Sequence, residues 1–235
     1  MRVKFLSILG LIIIISPIFS QKYKPEDVFT EEKPLILFDF DAQGNFNNLG
    51  GQLGCFDANP NDREAYIRTR FVKDNDLHKQ GYYLKVMYDV ESSQPAFNGI
   101  WTKLLGADLS KFYAVQLTIK GDKEANFSDF FKIELKDKTT KIEGFVDGIT
   151  SEWKKITVPF DQFEGDIESL DMKNLDEFVI VFEDWRFNQK TGAYYIDDIC
   201  FIPKKGEKVK FSDIMKFKTS TSSPSGEKKE EKKKK

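Results

Sequence analysis

The chain has 235 residues, 14% of them aromatic, and its 36 basic and 38 acidic side chains leave a net charge of −2. So even a balance gives no global field to draw nucleic acid. A single histidine argues against His-dependent triads and zinc sites.

In chain order, Arg2 and Lys4 precede an apolar run from Phe5 to Ile15, then Pro17 and Ser20. This is the pattern of a signal peptide cleaved after Ser20, and the run is too short to span about 30 Å of hydrocarbon. The protein is expected to be secreted or periplasmic and, with no cysteine at the cleavage point, released rather than lipid-anchored. No later apolar stretch reads as a transmembrane segment. Residues 21–33 read as a linker.

From Pro34 to Pro203 short runs alternate apolar and polar residues between Gly, Asn and Asp clusters, the signature of half-buried strands. Leu84, Val86, Tyr88 and Val90 fall on one face, and Tyr83, Lys85, Met87 and Asp89 on the other. Val115, Leu117 and Ile119, then Phe131, Ile133 and Leu135, then Ile156, Val158 and Phe160 repeat the pattern. Phe178 to Phe182 is apolar on both faces and reads as a central strand or one covered by a loop. Two sheets that each have one apolar face bury them against each other, so the expected fold class is all-β, a two-layer antiparallel β-sandwich. Beyond Pro203, residues 204–235 turn to Lys, Ser and Glu and read as a disordered tail, with Phe211 to Phe217 as a short apolar fragment.

Cys55 and Cys200 are an even pair in an exported chain; one disulfide and two free thiols are both open readings. His78, between Lys73 and Gly81, reads as a loop residue. Gly50-Gly51-Gln52-Leu53-Gly54 has the wrong spacing for a phosphate-binding loop and reads as a turn. Asn126-Phe127-Ser128 fits a glycosylation acceptor, relevant only in a eukaryotic source. Glu134, Glu143, Asp147 and Glu183 are read as outward-facing, salt-bridging charges, since nothing in the sequence nominates a pair of them as glycosidase carboxylates.

Asp39 and Asp41 alternate with Phe38 and Phe40, so both carboxylates leave one face of the first long strand. Such crowded oxygens repel unless a cation compensates, and Ca²⁺ takes six to eight of them. Asp39-x-Asp41-x-x-Gly44 mimics an EF-hand start, but Gly50 stands where the bidentate Glu belongs, and strands flank it. The competing reading is that these acids bond loop amides.

Five strings in order carry a resemblance: Leu37-Phe38-Asp39-Phe40-Asp41, Asn47-Asn48-Leu49-Gly50-Gly51, Leu109-Ser110-Lys111-Phe112, Glu152 to Phe160, and Tyr194-Tyr195-Ile196-Asp197-Asp198-Ile199. Together they resemble the galactose-binding-like jelly-roll domains that include family 11 carbohydrate-binding modules and the complex I intermediate-associated protein 30 group. The resemblance covers nearly all of residues 34–203. It implies a jelly roll and a structural calcium joining the acids of the first strand to Asp197. Ile196 and Ile199 flank Asp197-Asp198 out of alternation, which fits a bulge that aims the carboxylate. The resemblance also implies a role for Trp153 in the core or at the start of a strand.

The candidate sugar-binding residues are aromatics that the core does not need. Trp185 lies in a polar segment with Asp184 and Arg186, and a loop indole beside charged groups suits stacking under a sugar ring. Trp101 begins another strand, and Tyr83 occupies a non-core face; for each singly, ordinary packing is the competing reading. The leading reading is an exported, non-catalytic carbohydrate-binding module with Ca²⁺ and a polysaccharide or glycan partner. The second is a structural or assembly protein binding another protein through the same sandwich, and an enzyme ranks third.

Overall fold

The computed structural model describes residues 22–58 and 64–215. The expected signal peptide and the Ser- and Lys-rich end lie outside the described residues. The described chain forms β1 (Val28–Phe29), β2 (Leu35–Phe38), β3 (Leu53–Asp57), β4 (Tyr66–Lys73), β5 (Tyr82–Asp89), β6 (Phe97–Ala107), β7 (Phe112–Gly121) and β8 (Phe130–Lys136). There follow β9 (Lys141–Asp147), β10 (Lys154–Pro159), β11 (Glu164–Gly165), β12 (Leu175–Glu183), β13 (Thr191–Pro203), β14 (Val209–Lys210) and a single helical turn, α1 (Phe211–Ile214).

The strands build two six-stranded antiparallel sheets. One runs β10-β7-β13-β5-β4, with β2 also on β13, and is called here the β13 sheet; the other, the β12 sheet, runs β11-β9-β8-β12-β6-β3. Alternation decides which side chains go inward. On β5, Leu84, Val86 and Tyr88 enter the core, and on β8 Phe131, Ile133 and Leu135 do so. Rings join the layers: Tyr88 stacks on Phe182 at 4.6 Å, Phe131 meets Tyr194 edge-on at 5.2 Å, and Phe178 meets Phe201 at 6.2 Å. β12 is central, between β8 and β6, so Val179 and Val181 on its outer face are also buried.

β13 changes partner midway. Ile196 pairs with Leu84 of β5, whereas Ile199 pairs with Phe38 of β2. Between them the register shifts and Asp198 takes a left-handed φ of 43°. The core positions pass from Tyr194 and Ile196 to Ile199 and Phe201. That is the bulge the broken alternation predicts.

The terminal segments correct the expected boundaries at 34 and 203. β1 pairs with β14, and the Phe211 N–H donates to the Asp27 carbonyl at 2.8 Å. Phe29, Phe211 and Ile214 are fully buried, and the Tyr23 ring packs on Phe29 and Phe211. A few large apolar side chains in a polar stretch were enough to dock both ends.

Cys55 and Cys200 are free thiols on different sheets, Cys55 on β3 and Cys200 on β13, so the disulfide reading is set aside.

Candidate functional site

On the outer face of the β12 sheet the non-core positions of neighbouring strands meet in register. Trp101, Val179, Glu134 and Glu143 form one row across β6, β12, β8 and β9, and Gly99, Val181, Lys132 and Phe145 form the next. Lys132 is buried at the centre. Its ammonium lies 2.5 Å from Glu183, 3.0 Å from Glu134 and 3.3 Å from Glu143. Lys141 lies 2.7 Å from Glu143 and 3.0 Å from Glu134, and Lys136 is 2.9 Å from Glu134.

Burial works against charge in this network, and opposite charges outweigh it. Burial tends to raise the Glu134 carboxyl, but Lys136, Lys141 and Lys132 hold it down at about 2. Burial likewise opposes the Lys132 charge, yet Glu183 and Glu134 hold its ammonium above the ordinary value.

Beside this floor stands an apolar wall of Phe56, Phe97, Val181 and Trp185, enclosing a cleft of about 300 Å³. Trp185, in the loop after β12, is 58% exposed and meets the Phe97 ring edge-on at 6.1 Å. Arg186 places Nε 2.9 Å from Glu183 Oε2, and its guanidinium lies 5.2 Å from the Phe145 ring centre. Asp184 donates its N–H to the Ala96 carbonyl and buries Oδ1, which has no hydrogen-bond partner among the described residues.

The five expected sugar-site residues therefore separate. Trp185 and Arg186 flank the cleft, with Asp184 in the same loop. Trp101 shares the face, but its half-buried indole lies over Gly54, where any Cβ would collide with the ring. Tyr83 belongs to the other sheet. Its buried ring packs at 5.3 Å on both Trp153 and Tyr195, with the Lys120 ammonium 4.8 Å from the Trp153 centroid. The sequence reading did not single out Phe56, Phe97, Lys132, Lys136 or Lys141 for the site. The Lys/Glu alternation at the non-core positions of β8 and β9 was the available signal.

A second polar centre sits where β13 changes partner. The carboxylate of the buried Asp197 accepts the Asp198 N–H at 2.9 Å. His78 Nε2 lies 3.1 Å from Asp198 Oδ2 and 3.6 Å from Asp197 Oδ2. Burial first, then the neighbouring Asp198 charge, pushes the Asp197 carboxyl up to about 8, and Asp41 and Asp74 add to it.

Asp41 accepts the Tyr82 N–H at 3.1 Å, and Gly81, at φ 77°, leaves room that a Cβ would take from the Asp41 carboxylate. Asp74 is spent on the N–H groups of Asp76, Leu77 and His78. Asp39 pairs with Lys22, so of the three expected ligands it is the one already neutralised. The ligand atoms that lie together, all within 4.8 Å of one another, are those of His78, Asp197 and Asp198, while Asp41 contributes only its charge. His78 supplies the one nitrogen close by.

Among solved structures, the chain is similar to the family 11 carbohydrate-binding module of the cellulosomal cellulase Lic26A-Cel5E of Clostridium thermocellum. The two are 19% identical over 74% of this chain and 96% of that one, with a TM-score of 0.56. A family 11 module from the same organism, in complex with a β-1,3-1,4-mixed-linked tetrasaccharide, is 20% identical over 74% and 97%, with a TM-score of 0.55. The solution structure of CtCBM11 gives 22% identity over 72% and 94%, at 0.53. The sequence matches no protein-family model and no curated relative. The likeness is one of fold: a two-layer antiparallel β-sandwich, as expected from the sequence.

Proposed function

We propose that this protein is a non-catalytic carbohydrate-binding module whose site is the cleft on the outer face of the β12 sheet. The observation that carries the reading is Trp185. An indole 58% exposed to solvent, braced by Phe97 at the lip of a cleft floored with charged groups, gives a sugar ring an apolar surface to stack on and polar partners for its hydroxyls. The likeness in fold to carbohydrate-binding modules supports the same reading but does not carry it, because one fold serves many functions.

Two further parts belong to the proposal. Export rests on the pattern of residues 1–20, and among the described residues no helix is long and apolar enough to cross a membrane. A structural Ca²⁺ would be held by Asp197 and Asp198, with the Asp41 charge near the site. It would neutralise the buried Asp197 and fasten the start of β5 to β13 where β2 and β5 meet it. Affinity electrophoresis of the protein through gels holding neutral and acidic polysaccharides tests the reading. Retardation by at least one polysaccharide, lost in Trp185→Ala, is expected. A folded protein that no polysaccharide retards would overturn it.

A further inference from the structure

The charges at the cleft are arranged unevenly in depth, and this says what kind of glycan the site takes. In the network around Lys132 the carboxylates lie low: the side chains of Glu134 and Glu183 are 5% and 7% exposed, and Glu143 is 21% exposed. The outer cations stand above them, Lys136 at 30%, Arg186 at 40% and Lys141 at 51%. A ligand approaching from solvent therefore meets cations first. Lys132, Lys136, Lys141 and Arg186 match Glu134, Glu143, Glu183 and Asp184 in number, so the bias lies in which sign is exposed and not in net charge.

The hydrogen-bonding capacity points the same way. An ammonium has three N–H donors and a guanidinium five, and neither accepts. Lys132 turns its donors to three glutamates. Lys141 approaches two glutamates, Lys136 approaches Glu134 alone, and Arg186 pairs with Glu183 through Nε. Unused N–H groups thus remain on three exposed side chains of the cleft, while both oxygens of Glu134 and Oε1 of Glu143 and Glu183 are turned to the lysines, leaving the less exposed Glu143 Oε2 without a cation. A neutral sugar needs donors and acceptors together. A surface whose most exposed polar groups are donors favours a group that only accepts.

The rest of the face sharpens the contrast. Lys103 is enclosed by Asp176 at 3.0 Å and Glu177 at 2.6 Å, so in the row it shares with Lys136 and Lys141 it is the cation already held by two carboxylates. Glu164 is exposed, but it belongs to edge strand β11, beyond β9 from the cleft. Asp147, at the end of β9, holds the Gly148 N–H. The exposed cations thus extend along the cleft, from the row of Lys136 and Lys141 to Arg186 next to Trp185.

We propose that the glycan bound at the Trp185 cleft is acidic, its carboxylate or sulfate ester received by Lys136, Lys141 and Arg186 while the sugar ring stacks on Trp185. This rests on the carbohydrate-binding reading and narrows it. An anion among these groups gains charge-assisted hydrogen bonds, and the flat guanidinium fork of Arg186 suits a carboxylate. Such binding weakens as salt rises, because the outer charges are open to screening.

The test is titration of the protein with polygalacturonate, a sulfated galactan, a neutral mixed-linked β-glucan and poly-glutamate, at low and at moderate ionic strength. One or both acidic polysaccharides should bind at least about tenfold more tightly than the neutral glucan, and which of them does so tells uronate from sulfate. Lys136→Gln/Lys141→Gln and Arg186→Gln should each remove most of that preference. Lys141→Arg, which keeps the charge, should preserve it, and Lys123→Gln on the other sheet should leave it unchanged. Melting curves of the variants separate lost binding from lost folding.

Equal or tighter binding of the neutral glucan would overturn the acidic assignment and leave the carbohydrate-binding reading standing. Equal binding of poly-glutamate would also overturn it, since the surface would then be reading charge alone. Binding of no glycan by the folded protein would overturn both.

Discussion

Lys132 Nζ lies 2.5 Å from Glu183 Oε1 across the β8–β12 pair, and both side chains are buried. The ammonium also meets Glu134 and Glu143, so one lysine compensates carboxylates on three strands. Lys132→Ala would leave those carboxylates buried without their shared partner, a loss of about 3–5 kcal/mol for a broken buried pair. Urea denaturation measures it. A midpoint equal to that of the parent protein would show that the network does not hold β8, β9 and β12 together.

Glu134 sets the response to acid. Its carboxyl is held at about 2 in the folded protein, against an ordinary value of 4.5. A depressed carboxyl contributes stability that is fully present above 4.5 and is lost as the pH falls from there towards 2. The contribution is on the order of 2 kcal/mol once solvent screening is allowed for. Glu134→Gln should therefore flatten the fall in melting temperature between pH 4.5 and 2. If parent and variant lose stability in parallel over that range, the shift belongs to other groups.

The sandwich was legible because its signal is local. Alternation at Leu84, Val86 and Tyr88 and the apolar run Phe178 to Phe182 follow from which neighbour each residue faces, and the bulge at Asp197-Asp198 showed as a break in that alternation. The site was only partly legible. Trp185 and Arg186 stood out as an aromatic and a cation in a loop. Tyr83, however, looked equivalent to Trp101 until strand order placed them on different sheets, and sequence does not carry strand order. Lys132 and Lys141 carry no signal in the sequence, because their convergence on Glu134 and Glu143 depends on the β8–β9 register. The docking of Phe211 was missed for a similar reason, since composition averages over a segment while burial acts on single side chains.

Asp197 gives calcium a test with two opposite signs. Its carboxyl is pushed up to about 8, so without a cation the folded state favours the protonated form. Stability from this group is present below its ordinary value of 3.8 and is lost as the pH rises through 8. At pH 7 in chelator, Asp197→Asn should raise the melting temperature, because the parent must take up a proton to bury this carboxyl and the amide need not. In calcium the parent should gain stability by mass action, about 2.7 kcal/mol at a hundredfold excess over Kd, and the variant should gain little. A parent protein indifferent to both chelator and calcium would remove the ion from the proposal.

The two chain ends should behave as part of the fold. Phe211 is fully buried against Tyr23 and Phe29. Phe211→Ala should cost about 3–5 kcal/mol, as for other buried phenylalanines, and ending the chain at Pro203 should cost at least as much. Calorimetry on both forms decides. A chain ending at Pro203 that melts with the parent would make β14 and α1 ornaments on a self-sufficient sandwich.

Because Trp185 and Tyr83 lie on different sheets, paired substitutions locate the sugar site. Trp185→Ala removes the exposed ring at the cleft and should weaken glycan binding by about 1–3 kcal/mol, the range for a well-packed aromatic contact. Its stability should change little, since the indole is 58% exposed and touches the fold mainly through Phe97. Tyr83→Leu does the reverse. It removes a ring packed between Trp153 and Tyr195, so it should lower the melting temperature while leaving affinity for the same glycan unchanged. Isothermal titration on both variants, with melting curves alongside, reads the two effects separately. If Tyr83→Leu abolishes binding in a protein that still melts cooperatively and Trp185→Ala does not, the sugar site belongs on the β13 sheet, around Lys120 and Tyr195, and the cleft at Trp185 is only a salt-bridged surface.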